Sequence, residues 1–270
     1  MMHGEIQNGM IMNNPLGPTI GPGYFSDLSN HNKEKDLKNI IDKRREFKKK
    51  LTSFNLPRKV YVINLPERQD RWEAFKSKNQ SIFEAFETSR IDGIVGKDVQ
   101  KSIFQSHLSC LREAFKTEEC VIVMEDDCYV AEGWLEKITS TFRELPEDWD
   151  VLIGNHYFFS TIDILTDNIA KPNGKASTAN FVIYNKSSLN KIEKNIHLSE
   201  DPHMRDIDHF LTSERSPVIN YTIWPMVSRE YVSVSDHYKN VRNMEFRIRE
   251  NSNMFQYIDS DTYYPSIDCW

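Results

Sequence analysis

The chain has 270 residues, enough to bury a substantial core as one large domain or two small ones. Hydrophobic residues make up 39% and charged residues 27%, with a net charge of -6, so the chain lacks the global basic field of a nucleic-acid binder. No stretch offers the ~20 apolar residues of a membrane span, and Met1 to Ile20 lack the basic region and apolar core of a signal peptide.

Residues 1–32 are rich in Asn, Gly, Pro and Ser and read as a flexible N-terminal segment. Residues 33–57 read as a basic amphipathic helix and linker. Lys33 to Lys50 carry nine basic and four acidic side chains, and Leu37, Ile40, Ile41, Phe47 and Leu51 recur at helical spacing. Such a helix over 33–52 can meet an anionic membrane, another subunit, or its own domain.

Beyond Pro57, Lys59 to Leu65 (KVYVINL) reads as a first buried strand, and residues 67–86 have helical composition. Residues 103–116 place Ile103, Phe104, His107, Leu108, Leu111, Ala114 and Phe115 on one helical face. They lead into Cys120 to Met124, an apolar run with three β-branched residues that reads as a strand buried on both faces. A helix through Trp134, Leu135, Ile138 and Phe142 stops near Pro146. Strands follow at 150–153 and 179–184, then a helix at 187–194. This alternation predicts an α/β fold, a mainly parallel sheet flanked by helices, as a single domain over 58–240. The aromatic-rich tail 241–270 is expected to pack on it. Cys110, Cys120, Cys128 and Cys269 show no CxxC spacing and are expected as reduced thiols in the cytoplasm.

The strand at 120–124 ends in Glu125-Asp126-Asp127. Ligands of open α/β sheets gather at the carboxyl ends of strands, and three acids there repel one another unless a cation sits among them. A divalent metal holding an anionic ligand answers that problem; a solvated acidic turn is the alternative. His237, after Ser235-Asp236, can add an imidazole, and oxygen-rich ligation of this kind suits Mn²⁺ or Mg²⁺ better than Zn²⁺.

Three more groups stand out. Asn64 to Arg71 (NLPERQDR) follows the first strand, where Arg68 and Arg71 can meet phosphates or a nucleobase, or pair with Glu67 and Asp70. Ser106-His107 lies on the helix before the acidic strand, where a histidine is either a hydrogen-bonded core residue or a ligand. In Asp206-Ile207-Asp208-His209, helical spacing makes Asp206 and His209 neighbours and turns Asp208 elsewhere. The run His156-Tyr157-Phe158-Phe159 is either an acceptor platform or core. No Walker loop, GxGxxG, HExxH or GxSxG occurs, and with ten glycines a phosphate-cradling loop is not expected.

Taken in order, VYVINLPERQDR (60–71), Ile91-Asp92-Gly93, Ser106-His107, VMEDD (123–127), Trp149-Asp150, Asn180 to Tyr184, Asp206 to Phe210 and Ser235-Asp236 resemble glycosyltransferase family 25. That family includes lipooligosaccharide galactosyl- and glucosyltransferases and collagen hydroxylysine galactosyltransferases. The resemblance covers roughly 58–240. It implies a GT-A fold with a Rossmann-like sheet, a UDP-hexose donor, Mn²⁺ dependence and inversion at the anomeric carbon. By the same resemblance Glu125-Asp126-Asp127 stands for the DxD motif. Asp127 would ligate the metal, with Glu125 or Asp126 near the metal or ribose and His237 as a further ligand. Asn64, Leu65 and Arg68 would line the nucleoside pocket, with Asp92 facing nucleoside or sugar, and Arg71 and His107 complete the donor-binding set. Asp208 would be the general base that deprotonates the acceptor hydroxyl.

The expected function is therefore transfer of galactose or glucose from a UDP-sugar to a hydroxyl of a glycan or protein. The alternatives are a silent nucleotide-sugar or glycan-binding module of the same fold, and a metal-dependent phosphohydrolase.

Overall fold

The computed structural model describes residues 56–156, 158–177, 180–230, 233–234 and 241–242. The expected basic helix, His237 and nearly all of the tail lie outside these residues. Those described belong to one compact unit, Lys43–Trp270.

The chain enters as strand β1 (Lys59–Asn64), whose Val60 and Val62 are buried. The helical composition at 67–86 forms two helices, α1 (Gln69–Lys78) and α2 (Gln80–Ala85), broken at Asn79. The break has a tertiary cause. The fully buried Asn79 amide donates to the carbonyls of Phe75 (3.0 Å) and Cys128 (2.9 Å), and its oxygen accepts from the Val130 amide (3.0 Å). A side chain that satisfies backbone groups in this way competes with helix continuation.

Strand β2 (Glu87–Asp92) precedes α3 (Val99–Ala114), whose N-terminus is capped by Asp98 accepting from the Lys101 amide at 3.2 Å. Next come β3 (Cys120–Glu125), the short β4 (Cys128–Val130) and α4 (Trp134–Phe142), entered through Gly133 at φ +73°. Then follow β5 (Val151–Ile153), β6 (Phe158–Ile164), β7 (Ile169–Ser177), β8 (Phe181–Asn185), α5 (Lys186–Lys194), α6 (Ile207–Thr212), β9 (Asn220–Ile223) and β10 (Ser228–Glu230).

Eight of these strands form one sheet in the order β2-β1-β3-β8-β5-β9-β7-β6. The pairs β1–β2, β1–β3 and β5–β9 are parallel, and β8 and β7 run against the rest, so six strands share one direction. This is the layered α/β architecture expected from the sequence.

Strand alternation divides the core between the two faces. Val121 and Val123 of β3 pack with Val182, Tyr184, Val151, Ile153, and the apolar sides of α3 and α6. Ile122 and Met124 pack on the other face with Phe75, Trp134, Ile138, Phe181 and Trp149. Both sides of β3 are covered, which is why its sequence is an unbroken apolar run. Among the described residues no helix is long and apolar enough to cross a membrane.

Candidate active site

The parallel strands β1, β2 and β3 end level with one another. Asn64 stands beside Asp92 and Ile63 beside Glu125, so the last polar residues of three strands share one edge. Alternation then sends the consecutive acids different ways.

Glu125 turns toward α3. Its Oε1 lies 3.3 Å from His107 Nε2, and His107 Nδ1 lies 3.1 Å from the Tyr184 hydroxyl. Burial lowers the His107 pKa to about 4, against the opposing charge of Asp208, so the ring is neutral at pH 7. A carboxylate only accepts, which makes Nε2–H the donor to Glu125 and leaves Nδ1 to accept from Tyr184. The Tyr184 hydroxyl keeps its proton because burial raises its pKa well above the ordinary value.

Asp126 turns toward α1. It accepts from Asn64 Nδ2 at 2.5 Å and is ion-paired with the Arg71 guanidinium, which also holds Asp127 at 2.8 Å. Asn64 Nδ2 bonds the Arg68 carbonyl as well, at 3.0 Å, fixing the turn after β1. Burial pushes the Asp126 pKa up to about 7. Arg71 and Asn64 pull it down, while the Asp127 and Glu125 charges push it further up.

The other expected donor-binding residues differ in placement. Arg68 forms a two-pronged pair with Asp70, 2.9 Å on each arm, and that hydrogen bonding holds Asp70 at about 2. The local ion pair weighed for the two arginines is thus formed by Arg68, while Arg71 reaches across to the acids. Leu65 is half-buried, and its carbonyl closes the turn by accepting from the Arg68 amide at 2.9 Å. Asp92 is exposed at the rim, 3.8 Å from Arg90. Asp208, half-buried on α6, acts electrostatically on both His107 and Tyr184, so α6 brings it to the face of Glu125. Its neighbours Asp206 and His209 pair with each other at 3.6 Å, as helical spacing predicted. His237 lies outside the described residues.

The fit to a divalent cation rests on Asp127. Its Oδ1 is buried and has no hydrogen-bond partner, although Oδ2 is held by Arg71. One guanidinium set against three carboxylates also leaves the cluster negative. Hard carboxylate oxygens of this kind suit Mn²⁺ or Mg²⁺. Among the described residues no group of three or more His, Cys, Asp or Glu side chains is arranged to hold a metal. Asp127 fits a cation whose remaining ligands come from a bound anion.

Three participants were given no role in the sequence reading, although Asn180 and Tyr184 bound one of the stretches that carry the resemblance. Tyr184 is an ordinary aromatic within a strand. Asn180 and Asn155 are buried beside the acidic edge, and amides in loops before and after strands are common turn residues. Asp150, part of the Trp149-Asp150 motif, is structural. It accepts from the Ser187 hydroxyl (2.6 Å), Lys191 (2.5 Å) and the Ile219 amide (2.7 Å), tying α5 and the start of β9 to β5. His156 bonds the Thr222 hydroxyl at 2.7 Å inside the core. Tyr157 and the side chains of Phe158 and Phe159 lie outside the described residues. Cys110, Cys120 and Cys128 are free thiols, and burial raises the pKa of Cys110 to about 12.

No protein-family model and no curated protein sequence matches the chain. Among solved structures it is similar to a protein from STIV, with a TM-score of 0.43 and 13% identity over 70% of this chain and 95% of that one. It is similar also to a glycosyltransferase involved in the glycosylation of the major capsid of PBCV-1, with a TM-score of 0.39 and 13% identity over 60% and 72%. A third is a mannose-1-phosphate geranyltransferase from Thermus thermophilus, with a TM-score of 0.37 and 9% identity over 64% and 75%. Likenesses this distant concern the fold alone and say nothing of activity.

Proposed function

We propose that the chain is an inverting, divalent-metal-dependent glycosyltransferase that moves a hexose from a UDP-sugar to a hydroxyl of a glycan or protein. This is the reaction implied by the resemblance to glycosyltransferase family 25. The observation that supports it best is the gathering of its dispersed motifs at one sheet edge. Asn64, Arg71, Asp92, His107 and Glu125 to Asp127 come from five separate elements, β1, α1, β2, α3 and the end of β3, and Asp208 approaches from a sixth.

The two faces divide the chemistry. On the α1 side, Asn64 and Arg71 fix Asp126 and Asp127, so that Asp127 presents its orphaned oxygen where the donor diphosphate would end. Asp127, with Glu125 as the further ligand expected from the resemblance, would hold the metal, which would supply charge neutralisation for the departing diphosphate. On the α3–α6 side, His107 donates to Glu125 and holds that carboxylate still. Asp208 receives the proton from the acceptor hydroxyl as it attacks the anomeric carbon. Inversion follows because the attacking hydroxyl and the leaving group occupy opposite sides of that carbon.

The reading is tested by release of UDP from UDP-glucose and UDP-galactose, with Mn²⁺ and with EDTA, for the natural chain and for Asp127→Ala. Slow hydrolysis of one donor that needs both Mn²⁺ and Asp127 is expected. Phosphate release from simple phosphoesters without any UDP would replace it with a phosphohydrolase.

A further inference from the structure

Asn180 immediately precedes β8, and its carbonyl accepts from the Glu125 amide at 2.9 Å, so the two residues are neighbours across the strand pair. On the other side of β8, Ile153 pairs with Val182, and the Gly154 amide donates to the Phe181 carbonyl at 2.9 Å. Asn155 and Asn180 therefore leave the sheet together. The approach is close: a Cβ on Gly154 would lie 2.5 Å from the Phe181 ring. By alternation from Val182 and Tyr184, Asn180 faces the α3–α6 side, the side of Glu125, His107 and Asp208.

Both asparagines are 3% exposed. Neither amide atom of Asn180 has a hydrogen-bond partner, and neither does Asn155 Nδ2. Buried polar groups are nearly always paired, so orphans side by side at a ligand-binding edge call for a partner that the protein does not supply. An amide offers a donor and an acceptor together. The carboxylates of Glu125 and Asp208 on the same face disfavour an anion. A neutral ligand rich in hydroxyls meets all of these conditions.

The geometry points to Asn180 and Asn155 as the subsite for the hexose of the donor, pairing with ring hydroxyls between Asp127 and the base Asp208. This inference rests on the transferase reading and names the residues that hold the sugar as distinct from the nucleotide.

The test is calorimetric titration with UDP, UDP-glucose and UDP-galactose of the natural chain, Asn180→Ala and Asn155→Ala. The readout is the ratio of the Kd for the preferred UDP-hexose to the Kd for UDP. In each variant this ratio is expected to rise about tenfold, the effect of roughly one lost hydrogen bond, while the Kd for UDP stays within about twofold. Thermal melting of the unliganded chain should not fall, because the side chains removed have no protein partner to lose. An unchanged ratio in folded variants overturns the subsite. So does a lowered melting temperature with unchanged ratio, which would make the amides structural. If Asn180→Ala does not fold, Asn155→Ala decides alone. Failure of the natural chain to bind UDP or either UDP-hexose is a different result: it sinks the transferase reading and this inference with it.

Discussion

Arg71 is the keystone of the acidic edge, and Arg71→Met separates its charge from its bulk. The Arg71 side chain is 10% exposed, that of Asp126 8% and that of Asp127 15%, so the substitution leaves two carboxylates in a poorly solvated site. Removing one partner of a buried ion pair costs about 3–5 kcal/mol. The cost should depend on pH in a definite direction. Asp126 already has its pKa raised to about 7 by burial, and Arg71 is the main influence holding it down. Without Arg71 the folded-state value moves higher still. An acid whose folded pKa exceeds its unfolded value binds more protons in the folded state, so stability falls as pH rises between the two values. The loss should therefore be about 3–5 kcal/mol at pH 8 and shrink to roughly 1–2 kcal/mol at pH 5, where Asp126 neutralises itself. Urea denaturation at both pH values, followed by tryptophan fluorescence in EDTA, measures this. A loss below about 1 kcal/mol at pH 8, or one equal at both pH values, would refute the buried-pair account.

Three further outcomes follow from the same geometry. Asp208→Asn should lower hexose transfer by about 10²- to 10⁴-fold, the usual contribution of a general base, with UDP affinity within about twofold by calorimetry; transfer at the natural rate would remove Asp208 from the reaction. Asn79→Ala should cost about 2–5 kcal/mol in urea denaturation, since it strands the Cys128 carbonyl and the Val130 amide, yet leave UDP binding intact in the folded fraction. Gly154→Ala should destabilise by about 1–3 kcal/mol, because its methyl would strike the Phe181 ring that roofs the β5–β8 junction; an unchanged denaturation midpoint would mean that the strands do not approach this closely.

The elements legible in the sequence were those whose physics is local. β3 is an unbroken apolar run because both its faces are covered, and α3 carries its buried stripe at helical spacing. The acidic cluster stood out because three consecutive carboxylates are costly wherever they lie. What stayed hidden depends on distant partners. The Asn79 break needs Cys128 and Val130, which lie about fifty residues on. β7 contains Pro172, Asn173 and Gly174, a turn signature, yet it pairs along β6 with a register shift between Phe159 and Thr161 that accommodates the irregularity. The sequence left both arginines open between a local ion pair and an anionic ligand, and offered no sign of a long-range pair. The parallel register of β1 and β3 creates that pair for Arg71, by lifting Asp126 and Asp127 to its level.

That register also explains why consecutive acids can serve different ends. Were Glu125 and Asp126 side by side on one face, their repulsion would need a cation merely to keep the fold. Strand alternation instead sends Glu125 to the neutral His107 and Asp126 to Arg71 and Asn64, so each carboxylate has a hydrogen-bonding partner of its own. Asp127, in the turn beyond the strand, shares Arg71 and keeps one oxygen without a partner. The fold thus holds the edge together with protein groups and leaves a small, localised excess of negative charge at its tip. A cation recruited there would add to the proposed function without being needed for folding, which would separate this site from a structural metal centre. In metal-free buffer the natural chain should accordingly melt as one cooperative unit, and added Mn²⁺ should raise the transition most when UDP is present to complete the ligand shell. Unfolding on chelation alone would reverse that order of dependence and make the cation part of the fold.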